Sequence, residues 1–359
     1  MNCEEINHIE YLKLANLVTE KLSEGIFELS EVYVGPLNTN YFSFVFFIDF
    51  TINNEKKKVF VKIPKEDLRA REKTIFPITE GDRMMARAEA DSLRKLEKEW
   101  KDDDLRVTWV KLYGEIPEYN ALITEAASGM EALDVFRIWD LRRRYGYRAD
   151  HEKLISAMGR LGAAFGRFHK ISAKPVNFHT DKLIPKLIRY CKEIENHPLG
   201  TRLQSVINHI NKQAGKEIRA VEVPTLKGID IRNILINEED KLFVLDPGRV
   251  KLACREADLS RFLMTYRILY WGSIKFVLGL IPDLTAENAF FNNYYKNSSA
   301  PSDKLLNLFF VKEQLKHWHT ALESLEMRSY PAMLKRLIAG IYVNPYYIRQ
   351  LSTELKQIK

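Results

Sequence analysis

Cysteine is scarce in this sequence. Cys3, Cys191 and Cys254 are far apart and odd in number. No disulfide framework and no zinc-ligand spacing can be drawn from them, so a reducing cytoplasm is the expected setting. Long apolar runs are also missing. The longest, near Ile274 to Ile281, is broken by Lys275 and Gly279 and is too short to span a bilayer. Residues Met1 to Ile6 are acidic and contain no hydrophobic signal core, so secretion is not expected. Neither charge sign dominates: 55 Lys and Arg stand against 48 Asp and Glu, a formal charge of +7. That modest excess favours anionic ligands such as nucleotide, phosphate or acidic glycan. The bases are spread among nearly as many acids, so nucleic acid is not the expected partner.

The chain has 359 residues, enough for one large domain or for two lobes with separate cores. Helical spacing marks residues 5–30 as a lead-in. From Val32 the character changes to aromatic, strand-like segments, Tyr41–Phe50 and Lys58–Ile63, joined by an Asn53-Asn54 turn. Residues 64–83 contain Pro64, Pro77 and Gly81 and read as a long loop. A helix is expected over Met84–Trp100, then strands at Val107–Tyr113 and Asn120–Glu125 separated by Pro117. Beyond Gly129 the pattern is mostly helical (His151–Ile171, Lys182–Glu195, Thr201–Gly215, and several segments from Ala257 to Leu355), with Asn297–Ser302 as an exposed connector. Strands first and helices later predict an α+β protein with a small sheet-rich lobe and a larger helical lobe. The expected division is a lead-in at 1–30, a nucleotide lobe at 31–127 and a helical lobe at 128–359.

One hairpin interrupts the helical half. Residues 226–248 read as loop, short strand, turn, short strand and an Asp-Pro-Gly turn. Asn233 precedes the first strand and Asp246 follows the second, so an amide oxygen and a carboxylate come to the same end of the sheet. Kinases hold magnesium on nucleotide phosphates with such a pair. A cation is needed as well. Lys62 lies inside an apolar strand between Val61 and Ile63, where an unpaired ammonium is costly; Lys58 and Lys65 are its rivals. Glu89, on the next helix, is the carboxylate that would hold Lys62 extended, with Asp91 as its rival. Gly35 to Asn40 forms a loop whose glycine can bring backbone N–H groups to a phosphate.

These motifs together resemble the aminoglycoside phosphotransferase and choline kinase-like branch of the protein-kinase fold. Gly35-Pro-Leu-Asn38 is similar to that family's nucleotide loop. Lys62 and Glu89 match its strand lysine and helix glutamate. Ala121–Ala126 resembles the strand entering the hinge, where backbone groups between Glu125 and Ala127 would meet an adenine. Met158–His169 is similar to its helix ending in Leu-His, and Asp258-Leu-Ser to the Asp-Leu-Ala that buttresses the catalytic loop. The resemblance covers roughly 30–270. It implies a two-lobed kinase-like fold, ATP (or GTP) and Mg2+ as cofactors, and transfer of phosphate to a hydroxyl of a small molecule. A sugar, glycan or aminoglycoside-like acceptor, with an anionic character, is expected. Asn38, Lys62, Glu89, Glu125 and Ala127 would serve the nucleotide, and Asn233 and Asp246 the metal. Nothing in the sequence sets the oligomeric state.

One departure stands out. The family pattern is His-Gly-Asp, with the catalytic Asp five positions before the metal Asn, and here that position is Gly228. The nearest carboxylate is Asp230, three positions ahead of Asn233. Either Asp230 orients the acceptor hydroxyl, or the base is absent and the chain is a pseudokinase that binds nucleotide or a partner as a scaffold. Other candidates have blander readings. Arg137, Arg142, Arg143, Arg144 and Arg148 read as a solvated helix face. His317 and His319 face different directions on a helix and make a poor metal pair. His169 reads as a packed structural histidine, and Tyr342, Tyr346 and Tyr347 as helix-packing aromatics.

Overall fold

The computed structural model describes residues 3–23, 29–40, 42–66, 74–100, 103–271 and 284–358. Tyr41, much of the loop expected at 64–83 and the apolar run at 274–281 fall outside them. The chain divides into two compact units, residues 1–130 with 233–250, and residues 131–232 with 251–359. The hairpin thus groups with the sheet of the first unit.

In the first unit, α1 (Cys3–Ser23) precedes β1 (Ser30–Val34), β2 (Asn38–Asn40), β3 (Ser43–Ile52) and β4 (Glu55–Pro64). After α2 (Glu80–Glu99) come β5 (Val107–Trp109), β6 (Leu112–Ile116), β7 (Ala121–Glu125) and the short β8 (Met130–Glu131). An antiparallel sheet runs β1-β3-β4-β7-β6, with β2 also on β3. Its two faces separate by strand alternation. Phe44, Phe46, Ile48 and Phe50 of β3, Val59, Val61 and Ile63 of β4, and Ala121 and Ile123 of β7 form one core with Tyr11, Leu14 and Val18 of α1. Residues of opposite parity, Lys62 among them, project from the other face.

The α2 helix begins at a capping box, in which Thr79 accepts from Asp82 N–H and Asp82 accepts from Thr79 N–H. That box starts the helix at Glu80, inside the stretch expected to be loop. Lys65 is 1% exposed, with Nζ on the carbonyls of Ile75 and Pro77 and 3.5 Å from Asp82. This removes it as a rival to Lys62 and fixes the start of α2.

The second unit holds α3 (Ala132–Arg144), α4 (Arg148–Lys170), β9 (Lys174–His179), α5 (Ile184–Asn196), α6 (Gln204–Asn211) and β10 (Glu217–Leu226). After the hairpin strands β11 (Ile234–Ile236) and β12 (Leu242–Val244), which belong to the first unit, come β13 (Val250–Cys254), α7 (Glu256–Thr265), α8 (Thr285–Asn297), α9 (Asp303–Glu326), α10 (Ala332–Ile338) and α11 (Asn344–Gln357). Gly162 lets α4 and α8 meet at backbone distance, since a Cβ there would sit 2.0 Å from the Phe290 carbonyl oxygen. Around that crossing pack Phe165, Phe262 and Phe290. A second core gathers Leu187, Ile194, Leu315, Trp318 and Leu351. Trp318 stacks on Tyr347 and donates to Asn344 Oδ1, so Tyr347 packs as expected. The sheet β13-β10-β9 escaped the sequence reading. Pro175 and Pro224 interrupt its two longer strands, and the charged residues Glu217, Arg219 and Glu222 break up β10.

Candidate active site

Lys62 faces away from the α1 core, and its Nζ lies 2.8 and 2.9 Å from the two carboxylate oxygens of Glu89. A third carboxylate oxygen, Oδ1 of Asp246, is 3.2 Å away. Glu89 is 8% exposed, because it falls on the stripe Asp82, Ala86, Glu89, Ala90, Leu93, Leu96 that α2 turns inward. A carboxylate on an inward stripe needs a partner, and that pattern separates Glu89 from its rival. Asp91 has 74% of its side chain exposed and pairs only with Arg94. Lys58 likewise pairs at the surface, with Asp49.

Burial works against the Lys62 ammonium, yet Glu89 and Asp246 outweigh it and hold its pKa well above the usual range. Glu89 is pushed up to about 7, first by burial and then by the Asp246 carboxylate, against the pull of Lys62. One cation therefore serves two carboxylates.

The hairpin delivers Asp246. Its strands β11 and β12 pair antiparallel, β12 runs parallel to β5, and the Asn233 carbonyl accepts from Leu245 N–H at 2.7 Å. Asn233 and Asp246 therefore flank the same open end of the hairpin. Asp246 has φ of +44°, a left-handed conformation that Asp tolerates better than most side chains, and its side chain is 43% exposed. Gly129 packs beside β11, where a Cβ would lie 2.6 Å from the Ile236 carbonyl oxygen, so only glycine fits. Ser92 Oγ accepts from Val250 N–H at 2.9 Å, tying α2 to the segment after Asp246. The sequence reading missed Ser92; its one signal is a serine within the buried stripe of α2. A carboxylate and an amide at one hairpin end are hard-oxygen donors that suit magnesium, which takes one or two protein ligands plus phosphate oxygens.

The remaining nucleotide candidates lie on the same sheet. Asn38 pairs with Val45, Val45 with Lys62 and Lys62 with Leu122, one cross-strand row on one face. Two strand spacings separate Asn38 from Lys62, about 10 Å. Asn38 Nδ2 donates to the Pro36 carbonyl, and the Gly35 N–H is engaged by the Phe47 carbonyl at 2.9 Å. Glu125 ends β7 opposite Val59 and exchanges hydrogen bonds with the Lys111 backbone. Ala127 follows in irregular, half-buried chain.

Asp230 belongs to the second unit. Its carboxylate receives Arg232 Nε at 2.9 Å, Nη2 at 2.7 Å and the Arg232 N–H at 3.0 Å. The loop that carries it is fastened by α7: Leu226 N–H donates to Asp258 at 2.6 Å, and Arg261 donates to the Leu226 carbonyl at 2.8 Å. Asp258 is fully buried beside His169, whose Nδ1 meets Tyr294 at 2.9 Å. His169 is thus a packed structural group. The arginines of α3 are paired as well, Arg137 with Asp134, Arg142 with Asp150, and Arg143 and Arg144 with Asp140.

No family model matches the chain, and no curated protein matches it in sequence. Solved structures do. A choline kinase from Cryptosporidium parvum Iowa II superposes with a TM-score of 0.51 at 11% identity, over 97% of this chain and 95% of that one. The chain has a choline kinase fold. Its expected two-lobed α+β, kinase-like architecture is therefore observed. Further similar structures are an amicoumacin kinase in complex with AMP-PNP and Ca2+ (TM-score 0.49, 12% identity, 97% of this chain and 95% of that one), and the choline kinase LicA from Streptococcus pneumoniae (TM-score 0.48, 13% identity, 96% and 99%). In the described residues no helix is long and apolar enough to cross a membrane.

Proposed function

We propose that this chain is an ATP-dependent phosphotransferase that phosphorylates a hydroxyl of a small molecule. The observation that carries this reading is the convergence of Lys62, Glu89 and Asp246, which are remote in sequence, within 3.2 Å of one ammonium nitrogen. In this reading Lys62 binds nucleotide phosphates and Glu89 fixes its direction. Asn38 borders the phosphates, and the backbone from Glu125 to Ala127 receives the adenine. Asn233 and Asp246 hold the metal, which when bound neutralises phosphate charge. Asp230 orients the acceptor hydroxyl. Phosphoryl transfer depends mainly on positioning and charge stabilisation, so this short inventory suffices.

The acceptor we propose is anionic. In the second unit Lys227 lies on the loop Leu226–Arg232, Arg261 donates to its Leu226 carbonyl, and the Lys251 carbonyl accepts from Thr225, the residue just before it. Burial and then the nearby Arg261 and Lys312 lower the pKa of Lys251. Burial, Lys312 and Arg189 do the same to Lys186. Crowded lysines of this kind are relieved by a phosphate or carboxylate on the acceptor, and they repel a cationic one.

A second reading is favoured by Gly228 in the place of the usual Asp and by the fork between Asp230 and Arg232. The fork engages both carboxylate oxygens of Asp230 with one guanidinium, and a pseudokinase would keep only the nucleotide site. Thermal denaturation with ATP and Mg2+ tests the shared part. Ligand at about a hundred times its dissociation constant stabilises by about 2.7 kcal/mol. Absence of any shift rejects the nucleotide site. A shift without turnover on phosphorylated or carboxylated sugars selects the second reading.

A further inference from the structure

The first unit has a second cleft, built from α2, β6, β7 and the turn between the last two, which no step of the proposed transfer uses. Its volume is about 340 Å3, at the small end of the range of roughly 300–1,000 Å3 typical of small-molecule sites. Leu122 and Ala86 supply an apolar floor, and Ile116 and Ala121, whose side chains belong to the α1 core, border it. Arg83 and Arg87, one helical turn apart on α2, stand over it with exposed side chains. Neither arginine has an ion pair among the described residues.

The floor also contains a polar group. Asn120 is 9% exposed, and its side-chain Nδ2 lacks a hydrogen-bond partner among the described residues. Its φ of +51° suits asparagine, which accounts for the residue's backbone but not for the stranded amide donor. A buried donor without an acceptor is costly, and native proteins rarely leave one unexplained. The one carboxylate in the cleft, Glu115, is already neutralised by Arg94. Two exposed guanidinium groups and one buried, unpartnered amide donor therefore line the same cleft, and among the described residues lining it no other acidic group remains.

We propose that this cleft binds a small organic phosphate monoester. The two guanidinium forks take the phosphate oxygens, Asn120 Nδ2 donates to the same group, and the organic body rests on Ala86 and Leu122. Arginine forks match phosphate geometry in a way that an ammonium does not. The proposal stands independently of the nucleotide reading, since its polar groups, Arg83, Arg87 and Asn120, are not among the Lys62 partners, although Leu122 is the cross-strand neighbour of Lys62.

Calorimetric titration with phenyl phosphate tests it on four proteins: the wild type, Lys62→Ala, Asn120→Gly and the double variant Arg83→Gln/Arg87→Gln. Wild type and Lys62→Ala should bind with the same dissociation constant, which separates this cleft from any phosphate site at Lys62. The double variant should bind at least about tenfold more weakly, as expected from loss of charge-assisted hydrogen bonds. Asn120→Gly, which keeps the left-handed backbone, should weaken binding by several fold. Inorganic phosphate should bind less tightly than phenyl phosphate. Binding unchanged in the double variant, binding abolished in Lys62→Ala, or no heat with the wild type would each overturn the site. Equal affinity for the two probes would overturn the role of the apolar floor.

Discussion

The two units hold their charged groups in contrasting states. In the first, Lys62 is shared by Glu89 and Asp246, so the group carries one negative charge in excess when both carboxylates are ionised. In the second, Asp230 is matched by one guanidinium through two short bonds and is neutral as a pair. In the proposed reading, the excess of negative charge beside an exposed Asp246 is what would draw a divalent cation there. The Asp230 carboxylate has both oxygens taken up by one arginine. The contrast teaches that the first unit leaves a carboxylate exposed beside a shared cation, while the second ties its carboxylate to a guanidinium.

The largest expected effect breaks the first site. Asp246→Ala should abolish Mg2+-dependent nucleotide binding, and turnover should fall by at least about a thousandfold, since charge stabilisation is the main catalytic contribution in phosphoryl transfer. Retained Mg2+-dependent stabilisation by ATP in this variant would remove Asp246 from the metal site.

Next comes the second site. Asp230→Asn should lower turnover by about a hundredfold, the lower range for a general base, while leaving nucleotide affinity nearly unchanged. An unchanged rate would remove Asp230 from the reaction. Arg232→Ala sharpens the same comparison. With its partner gone, Asp230 loses the guanidinium that fixes its direction, and turnover should change while nucleotide affinity stays fixed. Turnover identical to that of the wild type would mean that the fork has no influence on the reacting group.

The same two regions differ in how much the sequence discloses. The position of Lys62 was partly legible, because a lysine between Val61 and Ile63 must either find a partner or snorkel to the surface, and that of Asp246 because Asp-Pro-Gly ends a strand. Glu89 needed the stripe of α2 to separate it from Asp91, and that stripe spans only a few turns. The hairpin's attachment was hidden, since the parallel pairing of β12 with β5 joins residues more than a hundred positions apart. Asp258 was visible as a short motif, whereas its bonds to Leu226 and its packing against His169 depend on tertiary contacts. The missed sheet of β9, β10 and β13 was obscured by prolines and surface charge. Ser92 was missed because its function is to accept a single backbone N–H.

That bond leads to the next smaller effect. Ser92→Ala removes the acceptor of Val250 N–H, which is partly buried, and should destabilise the protein by about 1–3 kcal/mol. Because α2 and the segment after Asp246 are joined there, nucleotide affinity should fall by a few fold more than ATP-independent stability predicts. Denaturant titration with and without ATP and Mg2+ separates the two, and equal losses in both conditions would reduce Ser92 to a stability role.

The smallest effect concerns the acceptor. Lys251→Met keeps most of the side-chain volume and removes one of the crowded charges near the loop that carries Asp230. If the acceptor is an anion, its KM should rise by about fivefold to tenfold at low ionic strength, the scale of one partly screened ion pair. The nucleotide KM should stay fixed, and the difference between variant and wild type should shrink as salt is added. A neutral or cationic acceptor predicts the reverse, because removing a cation would leave its KM unchanged or lower it. This small, salt-dependent change therefore tests the sign of the acceptor's charge apart from the chemistry performed on it.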